Sequence, residues 1–320
     1  MTDLILDVDT GVDDALAILF AVRHPSLRLR AITCVAGNAA VDQVVTNTLR
    51  VLDAAGAGDV PVARGADRPL LAPPRDARIV HGENGMGGIE LPVSDRRPVA
   101  EHAVELLRRT ILAAPEPVTL VTLAPLTNIA LLLRTHPEVT GNIGRVVSMG
   151  GSAWVGNASP VAEFNVWHDP EAAAIVFESG LPLTMYGLDV FYGVALPRSQ
   201  AEELAALDEP GVRLAGRLLV HASDRYGHEH RLAEPGGAGL GDAGAVCSVV
   251  RPGALTTRRL PVSVELAGTV TRGQTVVDHR SVEGEDAAHG VAPDEHLADV
   301  ALDVDGKRLR ELYVATLLGR

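Results

Sequence analysis

Short apolar runs alternate with segments of helical periodicity through the first two thirds of the chain. Residues 4 to 8, LILDV, read as a buried strand, and Val12, Ala15, Leu16 and Leu19 follow at helical spacing. Residues 27 to 37 (LRLRAITCVAG) predict a second strand, and residues 41 to 56 (VDQVVTNTLRVLDAAG) a helix closed by a glycine. The alternation then repeats. PVTLVTLA (117 to 124) precedes the helical PLTNIALLLRTHP (125 to 137). RVVSMGG (145 to 151) comes next, then the helical DPEAAAIVFESG (169 to 180) and the strand-like LPLTMYGLD (181 to 189). Strands that are apolar on both faces, each followed by a helix, predict an α/β fold with a mostly parallel central sheet flanked by helices. Ligands of such sheets bind at the C-terminal ends of the strands. AGN (36 to 38), LAPLTN (123 to 128) and MGG (149 to 151) fall at such ends. The glycine-dense stretches 81 to 88 and 234 to 245 predict mobile loops, and residues 258 to 266 and 273 to 279 predict further strands. No repeat, low-complexity tract or linker interrupts the pattern, so a single domain over residues 1 to 320 is expected.

The end of the first strand carries the most unusual chemistry. Asp7, Asp9, Asp13 and Asp14 occupy eight positions, and each ionised carboxylate makes its neighbours harder to ionise. A single Asp before a helix is readily explained as a cap. Four together point instead to a hard cation with about six to eight oxygen ligands, and calcium tolerates irregular shells better than magnesium. An EF-hand loop beginning at Asp7 fails, because Val12 and Ile18 stand where glycine and glutamate are required. A phosphatase of the haloacid dehalogenase class also opens with DxD after its first strand, but Lys307 lies too late, and LGDAGAV (240 to 246) offers one Asp.

Composition narrows the partners. The net charge of −13 excludes a nucleic-acid groove or an anionic membrane surface, and argues against a substrate bearing several phosphates. No basic leader, no apolar run of about 18 residues and no paired cysteine spacing is visible (Cys34 and Cys247 stand alone), so a reduced cytoplasmic protein is expected.

DVDTGVDDALAI resembles the signature of the inosine-uridine nucleoside hydrolase family, purine and pyrimidine N-ribohydrolases. Further blocks fall in family order: AITCVAGN (31 to 38), HGENGMG (81 to 87), LAPLTNIA (123 to 130), MGGSAWVGNASPVAEFNVWHDPEAA (149 to 173) and GQTVVDHR (273 to 280). The resemblance implies a calcium ion held by Asp9, Asp14, the backbone carbonyl of Leu123 and Asp242, with the ribose 2′- and 3′-hydroxyls completing the shell. Asp9 would also take the proton of the attacking water. Sugar recognition is implied for Asp13, Asn38, Asn157, Glu163, Asn165 and Asp242, with Met149 packed nearby. Asp7 is expected to orient its neighbours. A homodimer or homotetramer acting on a small nucleoside is the implied assembly.

The chain departs from that pattern at one point. Many members carry a histidine immediately before the last calcium-binding Asp, the proposed proton donor to the leaving base. Here that position is Gly241, followed after Asp242 by Ala243 in place of proline. His228 or His230 in RYGHEHR is a candidate replacement acid, and His81 is a candidate base-pocket contact. Base release by stacking or solvent is a second explanation, and weakened activity a third. Trp154, Trp167 and Tyr226 could wall the base pocket or simply pack. A hydrolase of a different N-riboside, a nucleoside-binding protein without turnover, and the magnesium-dependent phosphatase remain as alternatives.

Overall fold

The computed structural model describes residues 1–282, 284 and 296–320. Among these, nine strands form one sheet in the order β10-β9-β11-β6-β5-β4-β1-β2-β3. In chain order they are β1 (Thr2–Val8), β2 (Leu27–Cys34), β3 (Val62–Arg64), β4 (Val118–Thr122), β5 (Ile143–Met149), β6 (Leu183–Tyr186), β9 (Leu255–Val264), β10 (Thr275–Val277) and β11 (Leu297–Val304). Two short strands, β7 (Ala195–Leu196) and β8 (Ala238–Gly239), pair separately. The run from β3 to β11 is parallel, and β9 alone runs the other way, antiparallel to both β11 and β10. A mostly parallel sheet is therefore what the strand–helix alternation produced.

The helices are α1 (Val12–Arg23), α2 (Val41–Ala54), α3 (Arg78–His81), α4 (Ala103–Ala113), α5 (Thr127–Thr135) and α6 (Phe164–His168). There follow α7 (Pro170–Phe177), α8 (Leu188–Phe191), α9 (Arg198–Ala205), α10 (Pro210–Tyr226), α11 (Asp242–Val250) and α12 (Gly306–Leu317). One face of the sheet packs on α4, α5 and α7, the other on α1, α2, α10, α11 and α12. Helix α1 is buried on nearly every side between the sheet and α10, α11 and α12. That is why its sequence is apolar almost throughout instead of on one stripe. None of the described helices is long and apolar enough to cross a membrane.

One expectation is corrected. The 81–88 and 234–245 stretches are not loops throughout: His81 ends α3, Met86 is buried, and the second stretch contains β8 and the start of α11. Strand β11 lies between β6 and β9, parallel to the first and antiparallel to the second. The alternation did not reveal it, because its neighbour β9 comes before it in the chain and runs the opposite way. Helix α10 also went unread, although Val212, Ala215, Leu219 and Ala222 repeat at helical spacing and are all buried.

Candidate active site

The parallel strands end on one edge, where each feeds a short turn into the next element. Asp9 follows β1 and is fully buried. Asn38, after β2, covers it by donating from its backbone N–H to Asp9 Oδ2 (2.7 Å) and from Nδ2 to Asp9 Oδ1 (3.0 Å). Asp14, in the first turn of α1, accepts the N–H groups of Gly11 (2.9 Å) and Asp9 (3.2 Å), and Asn38 Nδ2 at 3.2 Å. The helix-cap reading of this residue is thus met by these bonds. Asp242 opens α11. Single carboxylate oxygens of Asp13, Asp14 and Asp242 lie within 4.8 Å of one another.

Crowding and burial have a clear electrostatic signature. Burial first, then the neighbouring carboxylates, push Asp9 and Asp242 well above the usual carboxylate range. The same causes raise Asp14 to about 7. Asp13 Oδ1 is buried without a hydrogen-bond partner, and His81 Nδ1 stands 3.8 Å from an Asp13 oxygen. The Leu123 carbonyl, just past β4, accepts one hydrogen bond from Asn165 Nδ2 at 3.0 Å, which leaves its second lone pair available. A hard cation fits this set: the donors are all oxygens, mutually repulsive, and one of them is orphaned.

Neighbouring turns build the rest. Glu163 caps α6, accepting from Asn165 N (2.9 Å), Gly151 N (3.0 Å) and Val166 N (3.2 Å), and burial raises it to about 7. Asn165 Nδ2 also reaches the Met149 carbonyl at 3.1 Å. Asp7 lies beneath, fully buried, its Oδ1 accepting from Thr33 Oγ1 (2.6 Å) and Asn128 Nδ2 (2.8 Å). It therefore ties β1 to β2 and to α5, the helix that follows β4, and is not among the residues lining the cavity.

A cavity of about 410 Å³ opens above this floor. Asp13, Asn38, Leu123, Met149 and Asp242 line it, with Asn157, Glu163, Asn165 and His81. Asp9 and Asp14 lie under that lining. His228 and His230 do not face this cavity: both are exposed and line a neighbouring opening with Arg198 and Asp224. The resemblance singled them out because the segment before Asp242 flanks the base pocket in relatives, but here the chain turns outward after Gly227, and of residues 227–230 only Glu229 lines both openings. His81 is buried, and its Nδ1 accepts the Val12 N–H at 3.2 Å. In the neutral ring the proton is consequently on Nε2, and burial lowers the imidazole's pKa. Trp167 and Tyr226 are on the wall, whereas Trp154 is 65% exposed and stacks on His279. Phe164, Phe191 and Tyr192 complete an aromatic side, with Glu229 at its edge, that sequence reading missed.

An open, mostly parallel sheet with an oxygen-only carboxylate floor and a partly aromatic cavity at its C-terminal edge is the arrangement of an α/β protein with a ligand site at that edge. Residues 4–311 match the family described as Inosine-uridine preferring nucleoside hydrolase, and the chain belongs to that family. By class it is a nucleoside N-ribohydrolase, which sets aside the phosphatase alternative. It is 44% identical over 305 residues to the non-specific ribonucleoside hydrolase RihC of Salmonella enteritidis PT4, covering 95% of this chain and 94% of that protein. Among solved structures it resembles the purine-preferring ribonucleoside hydrolase from Gardnerella vaginalis (TM-score 0.89, 32% identity, 99% and 98% of the two chains). It also resembles the plant nucleoside hydrolase PpNRh1 (TM-score 0.88, 28% identity, 100% and 99% of the two chains).

Proposed function

We propose that the chain hydrolyses the N-glycosidic bond of ribonucleosides in a calcium-dependent reaction, releasing ribose and free base. The observation that carries this is the oxygen-only cluster of Asp13, Asp14 and Asp242 with its orphaned Asp13 oxygen. Asp9, Asp14, Asp242 and the Leu123 carbonyl are the proposed ligands. When bound, the cation supplies positive charge that offsets the carboxylates and makes nearby water easier to deprotonate.

Asp9 takes the proton of the attacking water, held in orientation by the two hydrogen bonds from Asn38. Asp13, Asn157, Glu163 and Asn165 grip the sugar, and carboxylates around an oxocarbenium-like centre stabilise its developing positive charge. With Gly241 lacking a side chain, His81 and Tyr226 on the cavity lining are the candidates to protonate the leaving base. Of these, His81 has its hydrogen fixed on Nε2 by the Val12 contact. Tyr226 feels Asp13 and Asp242, and its phenol pKa is pushed up, by burial first and then by those charges. The non-specific relative and the purine-preferring neighbour both make a broad nucleoside panel the appropriate test. A homodimer or homotetramer and a cytoplasmic setting belong to the same proposal, on the family resemblance.

Ribose release from inosine, adenosine, guanosine, uridine and cytidine, with calcium and after exhaustive chelation, is the deciding experiment. Turnover that disappears on chelation and returns with calcium is expected. Undiminished turnover by metal-free protein, or recovery with magnesium alone, would overturn the calcium assignment. Tight nucleoside binding without turnover would favour a binding protein instead.

A further inference from the structure

The Tyr192 hydroxyl on the cavity wall is held by a donor and has no acceptor for its own proton among the described residues. Tyr192 follows α8 and lines the cavity together with Asn157. Its oxygen accepts a hydrogen bond from Arg231 Nη2 at 3.2 Å. A guanidinium carries donors only, so the direction of this bond is fixed. The Asn157 side chain lines the same part of the cavity. Its Oδ1 already accepts the Phe164 N–H at 2.9 Å.

The carboxylates nearest the ring are engaged elsewhere. Glu229 Oε1 accepts the Arg231 backbone N–H (3.1 Å) and Nε (3.0 Å), and its Oε2 accepts Nη2 at 2.9 Å. Glu163 is occupied by three backbone N–H groups. Arg231 is fixed in turn: its guanidinium lies 4.3 Å over the Tyr192 ring, and Nη1 reaches the Gly156 carbonyl at 3.4 Å. The phenol oxygen is thus held from behind by the Arg231 guanidinium, and its own hydrogen is left for a ligand.

We propose that Tyr192 donates a hydrogen bond to the 5′-hydroxyl oxygen of the bound nucleoside, and that Arg231 is the positioning residue that orients it. The inference rests on the nucleoside reading given above. The vicinal 2′,3′-diol is the chelating unit of ribose and is drawn to the carboxylate floor. The primary hydroxyl is then the sugar oxygen left for the wall at Asn157 and Tyr192.

Tyr192→Phe deletes the O–H and retains the ring beneath Arg231. Kinetics on inosine and 5′-deoxyinosine should show kcat/KM for inosine falling about 3- to 10-fold, chiefly through KM, the scale of one neutral hydrogen bond. Activity on 5′-deoxyinosine should stay within about twofold of the parent. Arg231→Lys keeps a cation beside Glu229 but loses the planar fork, and should reproduce the inosine-selective loss while Tm stays near that of the parent. No loss on inosine, or an equal loss on both substrates, overturns the proposal. Inosine binding by calorimetry reads the same contact without turnover. Absence of ribose release by the parent would therefore count against the hydrolase reading alone, while unchanged inosine affinity in Tyr192→Phe would count against this one.

Discussion

A Cβ added at Gly241 would lie 2.7 Å from the Cβ of Asp13 and 2.7 Å from its Oδ2. The backbone there has φ +54 and ψ −127, a region that side-chain-bearing residues rarely adopt. The family's histidine position is therefore not merely vacant in this chain. Its space is taken by Asp13, and the turn that carries Asp242 into the carboxylate floor is built for glycine.

Restoring the missing residue should therefore harm the enzyme. Gly241→His is expected to lower kcat/KM by at least about tenfold, since placing a side chain at positive φ costs roughly 1–2 kcal/mol before the collision with Asp13 is counted. Gly241→Ala should show a smaller loss of the same kind, together with weaker calcium binding by calorimetry. A gain in activity for the histidine variant would show that the turn can relax and that Asp13 does not hold the space.

The histidines separate by location. His228 and His230 line the neighbouring opening, so the double alanine variant should keep kcat/KM within about twofold of the parent, as for ordinary exposed sites. His81→Ala should be far more damaging, by about 10²-fold or more if its Nε2–H assists base departure. A pH–rate profile on inosine and on a nucleoside with a better leaving base would distinguish that assistance from simple pocket packing: lost proton donation matters least for the better leaving group.

Stability of the cation-free protein should depend on pH with a definite sign. Asp14 and Glu163 titrate at about 7 in the fold, against ordinary values of 3.8 and 4.5. Between those limits the folded chain binds more protons than the unfolded one. Stability is therefore fully present below about pH 4 as far as these groups are concerned, and is lost as pH rises through 7. Thermal unfolding of chelated protein should accordingly show Tm falling from about pH 5 to 8, with added calcium restoring most of it at the upper end. A Tm that rises across that window without calcium would contradict the buried, crowded state of these carboxylates.

Asn165 offers a test of the carbonyl ligand. Its Nδ2 holds the Leu123 and Met149 carbonyls at 3.0 and 3.1 Å. Asn165→Ala frees both, and should weaken calcium binding by about 10- to 100-fold, the usual scale for residues that orient metal ligands. Unchanged affinity would remove the Leu123 carbonyl from the ligand set.

The sequence by itself determined the parallel sheet and the acidic floor. β1 and α1 are adjacent in the chain, so Asp9, Asp13 and Asp14 are brought together by one strand–turn–helix unit whose geometry is local. Asn38, Leu123, Met149 and the 157–165 residues follow further strands to the same sheet edge, which a parallel α/β alternation makes foreseeable. Only the tertiary structure decided the aromatic wall and the fate of the histidines. Tyr192, Tyr226, Glu229 and Arg231 come from α8, the end of the 17-residue helix α10 and the chain beyond it. Where they face depends on how α10 docks against α1 and α9. The same docking sends His228 outward while Arg231 turns back over the Tyr192 ring. The physical reason is that hydrogen-bonded strand pairing and helix caps are written in short-range pattern, whereas the rotation of a long helix against its neighbours is set by the summed packing of residues far apart in the chain.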